Sequence, residues 1–117
     1  MPADYEFVRS VGRTLPGTEE SRSYGTPALK VGSKTLTRLW EDGETMVLRT
    51  TFEDRDYLLK LEPAAFYITD HYRDAPWILV RLRRVRRPQL RELLEQAWRL
   101  VAPKRFIAEF DARTRQR

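Results

Sequence analysis

Five arginines, Arg81, Arg83, Arg84, Arg86 and Arg87, fall within seven consecutive residues. The chemistry open to guanidinium groups at that spacing is anion recognition. Each presents a planar fork of N–H donors that matches a phosphate or carboxylate, and several together hold a polyanion at multiple points. The cluster belongs to a wider asymmetry. Residues 81–117 carry 12 of the 22 Lys and Arg but only 4 of the 17 Asp and Glu, which leaves residues 1–80 net negative. A net charge of +5 and a pI near 9.9 favour acidic partners.

Other chemistries find less support. Without cysteine there is no disulfide, thiolate nucleophile or Cys-based zinc site. His71 is the one histidine, set between Asp70 and Tyr72, and a catalytic or metal role would require carboxylates converging on it. Hydrogen bonding that orders its loop is the simpler expectation. Ser10, Ser21, Ser23 and Ser33 have no candidate base other than His71. Glu19-Glu20, Asp42 with Glu44, and Glu53-Asp54 read as turn, hairpin and helix-start residues. Gly17, Gly25, Gly32 and Gly43 are isolated and do not form a phosphate-binding loop. No catalytic residue, metal site or cofactor is assigned, and a non-enzymatic protein is expected. Trp98 belongs to a helix's apolar face. Trp77 and Tyr72 flank the 73–76 loop, where they either anchor it or stack on a base.

The elements that must position the arginines follow from periodicity and punctuation. Asp4 to Thr14 reads as a helix stopped by Pro16-Gly17. Residues 27–31, 35–40 and 45–51 read as three strands joined by hairpin turns. In the second, Leu36 and Trp40 take one face with Arg38 between them. Residues 52–61 form a helix capped by Thr50 or Thr51, 66–69 a short strand, and 77–85 the longest strand. Alternation there puts Ile78, Val80 and Leu82 on one face and Trp77, Leu79, Arg81 and Arg83 on the other. Leu90, Leu93, Leu94, Ala97, Trp98 and Val101 define a helix over 88–102 that Pro103 ends. Phe106, Ile107 and Phe110 form one more helical turn or a docking patch in a basic tail. The order is α-β-β-β-α-β-β-α. It predicts an α+β two-layer sandwich with an antiparallel sheet of about five strands. The expected division is a single domain over 1–105 with a basic C-terminal extension over 106–117. The N-terminus has no apolar signal region and no run reaches a membrane span, so a cytoplasmic location is expected.

Several short motifs recur in a recognisable order. Leu15-Pro16-Gly17-Thr18-Glu19-Glu20 closes the first helix, and Tyr24-Gly25-Thr26-Pro27 opens the first strand. Gly32-Ser33-Lys34, Pro63-Ala64-Ala65-Phe66-Tyr67, Asp70-His71-Tyr72 and Trp77-Ile78-Leu79-Val80-Arg81-Leu82 follow. The series ends at Leu94-Glu95-Gln96-Ala97-Trp98-Arg99-Leu100-Val101-Ala102-Pro103-Lys104. Over residues 4–105 the chain resembles the MmcQ/YjbR family of small bacterial proteins. The resemblance implies a compact α+β fold similar to the type III secretion chaperone fold, and a proposed DNA-binding role through a double wing. It brings no catalytic motif.

The residues themselves define the candidate contacts. Arg81 and Arg83 are expected as a cationic ladder on an open strand face, with Arg84, Arg86 and Arg87 at the strand's end. Arg38 and Arg49 join them if they face outward. Lys34, in a short flexible hairpin, is the better wing, since the Glu41–Glu44 tip would repel phosphate. The competing expectation is a solvated face in which these arginines pair with Glu41, Asp42 and Glu44. The leading function is a weakly sequence-specific binder of duplex DNA. The alternative is a protein-interaction or chaperone-like module that uses Phe106, Ile107 and Phe110.

Overall fold

The computed structural model describes residues 3–115. Met1 and Pro2, and Gln116 and Arg117 at the end of the basic extension, lie outside the described residues. The elements are α1 (Tyr5–Gly12), β1 (Thr18–Ser23), β2 (Thr26–Val31), β3 (Lys34–Leu39), β4 (Thr45–Arg49), α2 (Phe52–Leu61), β5 (Phe66–Tyr67), β6 (Trp77–Arg81), α3 (Arg87–Val101) and α4 (Lys104–Arg115). Single 3-10 turns stand at Asp70–Tyr72 and Leu82–Arg84. The strands form one antiparallel sheet in the order β1-β2-β3-β4-β6-β5.

The architecture is an α+β sandwich. Leu29 and Val31 of β2, Leu36 of β3, Met46 and Leu48 of β4, and Ile78 and Val80 of β6 form the sheet's inner face. Val8 and Val11 of α1 and Leu90, Leu94, Ala97 and Trp98 of α3 close over it. Their spacing on α3 places one apolar stripe along the helix. Each such side chain contributes roughly 1.5–3 kcal/mol by leaving water. The Trp98 indole N–H donates to the Pro16 carbonyl at 2.9 Å, which fixes α3 against the turn after α1.

Three expectations about the strands are corrected. The sheet has six strands, because Thr18–Ser23 pairs along its whole length with β2. The sequence TEESRS has no apolar alternation because this is an edge strand, partly exposed, whose charges guard its open edge. The strand over 77–85 ends at Arg81, and Leu82 and Val85, both buried, enter the core from a 3-10 turn and the extended residue after it. Trp40 does not share a face with Leu36. A bulge in β3 sets Lys30 opposite Thr35 but Leu29 opposite Thr37, so Leu36 is an extra residue and both it and Thr37 are buried. Beyond the bulge Arg38 pairs with Ala28 and Val47, on the outer face.

The segment after Pro103 is a full helix, α4, longer than the single turn expected. Phe106, Ile107 and Phe110 are half-buried against the domain's own core, with Phe110 5.2 Å from Trp98 ring to ring. Arg99 donates to Asp111 at 2.6 Å and to Glu95 at 3.2 Å, locking α4 to α3. The apolar patch that suggested a docking surface is thus covered within the chain. Gly17 sits beneath the Phe106 ring with φ of 77°, a left-handed conformation that leaves no room for a side chain.

Candidate nucleic-acid interface

The helix starts distinguish themselves by what caps them. At α1 the Asp4 carboxylate accepts from the Phe7 N–H at 2.9 Å. At α2 the Thr51 hydroxyl accepts from the Asp54 N–H at 3.1 Å, and Glu53 and Asp54 add negative charge to the first turn. These arrangements satisfy orphan N–H groups and suit the helix dipole. At α3 the cap position is Arg86, with no side-chain cap hydrogen bond, and the first turn contains no acid. Arg86 and Arg87 are exposed there, and Arg84 stands two residues before the cap, also exposed. The positive end of a 15-residue helix is thus surrounded by more positive charge.

Arg91, one turn along, joins the group. The guanidinium groups of Arg87 and Arg91 lie 5.2 and 5.5 Å from the centre of the Phe7 ring. With Arg86 they line an open depression beside Pro88. Arg84, Arg86, Arg87 and Arg91 form no ion pair among the described residues. Arg91 is not among the arginines that the sequence singles out, and Glu92 and Glu95 stand close to it in the chain. The i, i+4 spacing from Arg87 was the signal that places it on the same side of the helix.

The remaining candidates are held elsewhere or otherwise engaged. Arg81 is on the outer face, opposite Thr45. It donates to the Pro63 and Ala64 carbonyls at 3.3 and 3.1 Å and lies 4.1 Å over the Tyr67 ring. Arg83 is exposed in the 3-10 turn and pairs with Glu44 at 3.2 Å. No ladder of Arg81 and Arg83 forms, because the strand has ended between them. Arg38 is buried and donates to Glu41 at 3.2 Å and to the Tyr72 hydroxyl at 3.1 Å. Burial pulls its pKa down, but the Tyr72 and Glu41 contacts together outweigh that and raise it. Arg49 donates to the Thr35 carbonyl at 2.8 Å and stacks on Trp77 at 4.7 Å, and burial lowers its pKa. Lys34 is exposed at the β2–β3 turn, which the register puts at the opposite end of the sheet from Arg81. Some five strand intervals, about 17 Å, separate the two ends.

The outer face is not open. Val47 and Leu79 on it are buried, because the segment 69–76 folds across. Arg55 of α2 holds that segment, donating to the Tyr72 carbonyl at 3.1 Å and the Ala75 carbonyl at 2.9 Å. Between the segment and the β1–β2 turn lies a cleft of about 650 Å³. Tyr24, Arg38, Trp40, Glu41, His71 and Trp77 line it. His71 is exposed, with its ring edge-on to Tyr72 at 4.7 Å. Among the described residues no group of three or more His, Cys, Asp and Glu is placed to hold a metal ion. No helix among them is long and apolar enough to cross a membrane.

This combination of an antiparallel sheet, flanking helices and a cationic helix start defines a small α+β protein without a catalytic motif. Residues 13–100 match the YjbR family, and the chain belongs to it. It is 31% identical over 104 residues to uncharacterized proteins of Mycobacterium tuberculosis and Mycobacterium bovis, covering 86% of this chain and 76% of each relative. The crystal structure of Deinococcus radiodurans protein DR2400, of the DUF419 family, superposes with a TM-score of 0.72. It is 26% identical and covers 93% of this chain and 88% of that one.

Proposed function

We propose that this protein is a non-enzymatic DNA-binding module whose phosphate contacts centre on the N-terminus of α3. One observation carries the reading: α1 and α2 begin with an oxygen cap, whereas α3 begins with Arg86 and Arg87 and no cap. Positive charge at that end of a helix opposes the dipole, and a phosphate placed there removes the conflict. Arg84, Arg86, Arg87 and Arg91 are the principal contacts. Arg81 and Arg83 flank them round the end of the sheet, and membership of a family with a proposed DNA-binding role adds support. Such contacts position a backbone without reading its bases, so sequence preference is weak.

Titration of the full chain with a short duplex at several salt concentrations tests this. Four neutralised phosphates give a log K against log salt slope of about −3.6. A duplex that fails to bind at low salt, or that binds indifferently to salt, overturns the proposal.

A further inference from the structure

We infer that the outer-face cleft receives a single unpaired nucleobase, clasped by aromatic rings and read by Arg38 and Glu41. The inference rests on the nucleic-acid reading above and extends it from phosphates to bases.

The first observation is Tyr24. It occupies, with Gly25, the two-residue turn between β1 and β2, where Ser23 pairs with Thr26. Its φ is 51°, the one positive φ at a described residue other than glycine. Turns of this kind favour Asn, Asp or Gly, and a bulky residue there is strained. The residue is also 87% exposed, its ring centre 5.1 Å from the Arg38 guanidinium at the cleft's rim. A strained backbone and a largely exposed aromatic side chain thus coincide at one residue. Such coincidences gather where a ligand is held.

The second observation is the lining. Trp40 and Trp77 face the same cleft, whose volume of about 650 Å³ is that of a small-molecule site. Aromatic side chains take bases by stacking, whatever their identity. The polar groups narrow the ligand further. Arg38 is nearly buried and already bonded to Glu41, whose side chain remains 62% exposed. The pair is neutral overall, so it does not attract a phosphate. It offers donors beside an acceptor, which matches the edge of a base that carries an amine beside a ring acceptor.

The third observation is continuity. Arg81 lies over Tyr67, and Tyr67 meets Trp40 edge-on at 6.5 Å between ring centres. A cationic end therefore adjoins the cleft through two aromatic rings. A strand whose phosphates lie along the arginines can place one base in the cleft only if that base is unpaired, because a duplex keeps its bases in the stack. The cleft thus selects single strands, frayed ends or bulges.

The test follows intrinsic tryptophan fluorescence, with the full chain titrated separately with deoxynucleoside monophosphates, single-stranded oligonucleotides and a duplex of equal length. Trp98 is buried, so quenching reports Trp40 and Trp77. Single strands are expected to quench and to bind roughly tenfold tighter than duplex, the scale of one base stacked on aromatic rings. Tyr24→Gly should remove roughly that tenfold while leaving duplex affinity and folding intact, since glycine adopts the turn freely. Glu41→Gln should change the ranking of bases without changing the salt slope. Equal binding of both forms, with Tyr24→Gly silent, overturns the cleft and leaves the arginine reading standing. Mononucleotide quenching that Tyr24→Gly abolishes, with no binding of either DNA form, supports the cleft and overturns the arginine reading. Absence of quenching by every ligand overturns the cleft.

Discussion

Replacing Arg86 by Asp should move stability and DNA affinity in opposite directions. Arg86 is the cap residue of α3 and already has the extended backbone of an N-cap, with φ of −84° and ψ of 151°. An aspartate there can accept from the free N–H of Gln89, as Asp4 does from Phe7 in α1. A good cap contributes about 1 kcal/mol. At about 2.1 cal/mol/K per residue, this chain unfolds with an entropy of roughly 0.25 kcal/mol/K, so that gain raises Tm by about 4 °C. The same change removes one of four unpaired cations. The salt slope should fall from about −3.6 to about −2.7, and the affinity lost between 50 and 200 mM salt should shrink from about 150-fold to about 40-fold. Calorimetry and fluorescence anisotropy on one preparation measure both effects. A lower Tm would mean that the helix start is already satisfied in some other way. A slope and affinity equal to the parent's would mean that α3 does not face the DNA.

Other expectations follow from the packing. Gly17→Ala forces a side chain into left-handed backbone beneath Phe106, costing roughly 1–2 kcal/mol before any ring displacement, readable as a lower urea midpoint. Arg55→Ala strips the Tyr72 and Ala75 carbonyls of a charged donor. It should cost about 3 kcal/mol and speed amide exchange in segment 69–76 ahead of the sheet. Asp42 and Asp111 both titrate below the ordinary carboxylate range. For Asp42 burial opposes this, but the N–H groups of Glu44 and Thr45 and the Thr45 hydroxyl prevail. For Asp111 the Arg99 hydrogen bond is the main cause. Folded values below the unfolded ones mean that the stabilisation is complete above the unfolded value of about 3.8 and fades as pH falls through the lower folded values. Urea midpoints should decline below about pH 4, and the decline should be shallower in the Asp42→Asn, Asp111→Asn double variant.

What the sequence disclosed depended on how each segment meets its neighbours. Helix α3 was plain because it buries one stripe, which writes a helical period into Leu90, Leu94, Ala97 and Trp98. Strand β6 was visible as a strand but not as a site. Ile78, Leu79 and Val80 are all buried, so alternation does not mark which face is covered. The end of β6 was hidden for the same reason, since Leu82 and Val85 continue the apolar run while the backbone has turned. Strand β1 carries no apolar signal, because its stability lies in backbone pairing with β2. The arginines were legible as a field. Their sorting was not, because pairing of Arg38 with Glu41 and Arg83 with Glu44 depends on the face that Arg38 takes after the bulge in β3 and on the 3-10 turn that follows β6. Tyr24 went unremarked as a site residue, although a tyrosine before glycine between two strand patterns is the sign of a turn built on an unusual residue.

The extra residue in β3 gives the sheet something like a reading frame. Upstream of Leu36 the strand follows one phase of inside and outside, and downstream it follows the other. Keeping Leu36 but straightening the bulge, so that it pairs with Leu29, would exchange the faces of every residue after it. Arg38 and Trp40 would then point toward the core with Leu48 and Met46, and Leu39 toward the cleft. Deleting Leu36 would instead leave Thr37, Arg38 and Leu39 opposite their present partners and on their present faces. A chain of the same fold can therefore lose the extra residue and keep its cleft, but it cannot keep the residue and flatten the strand.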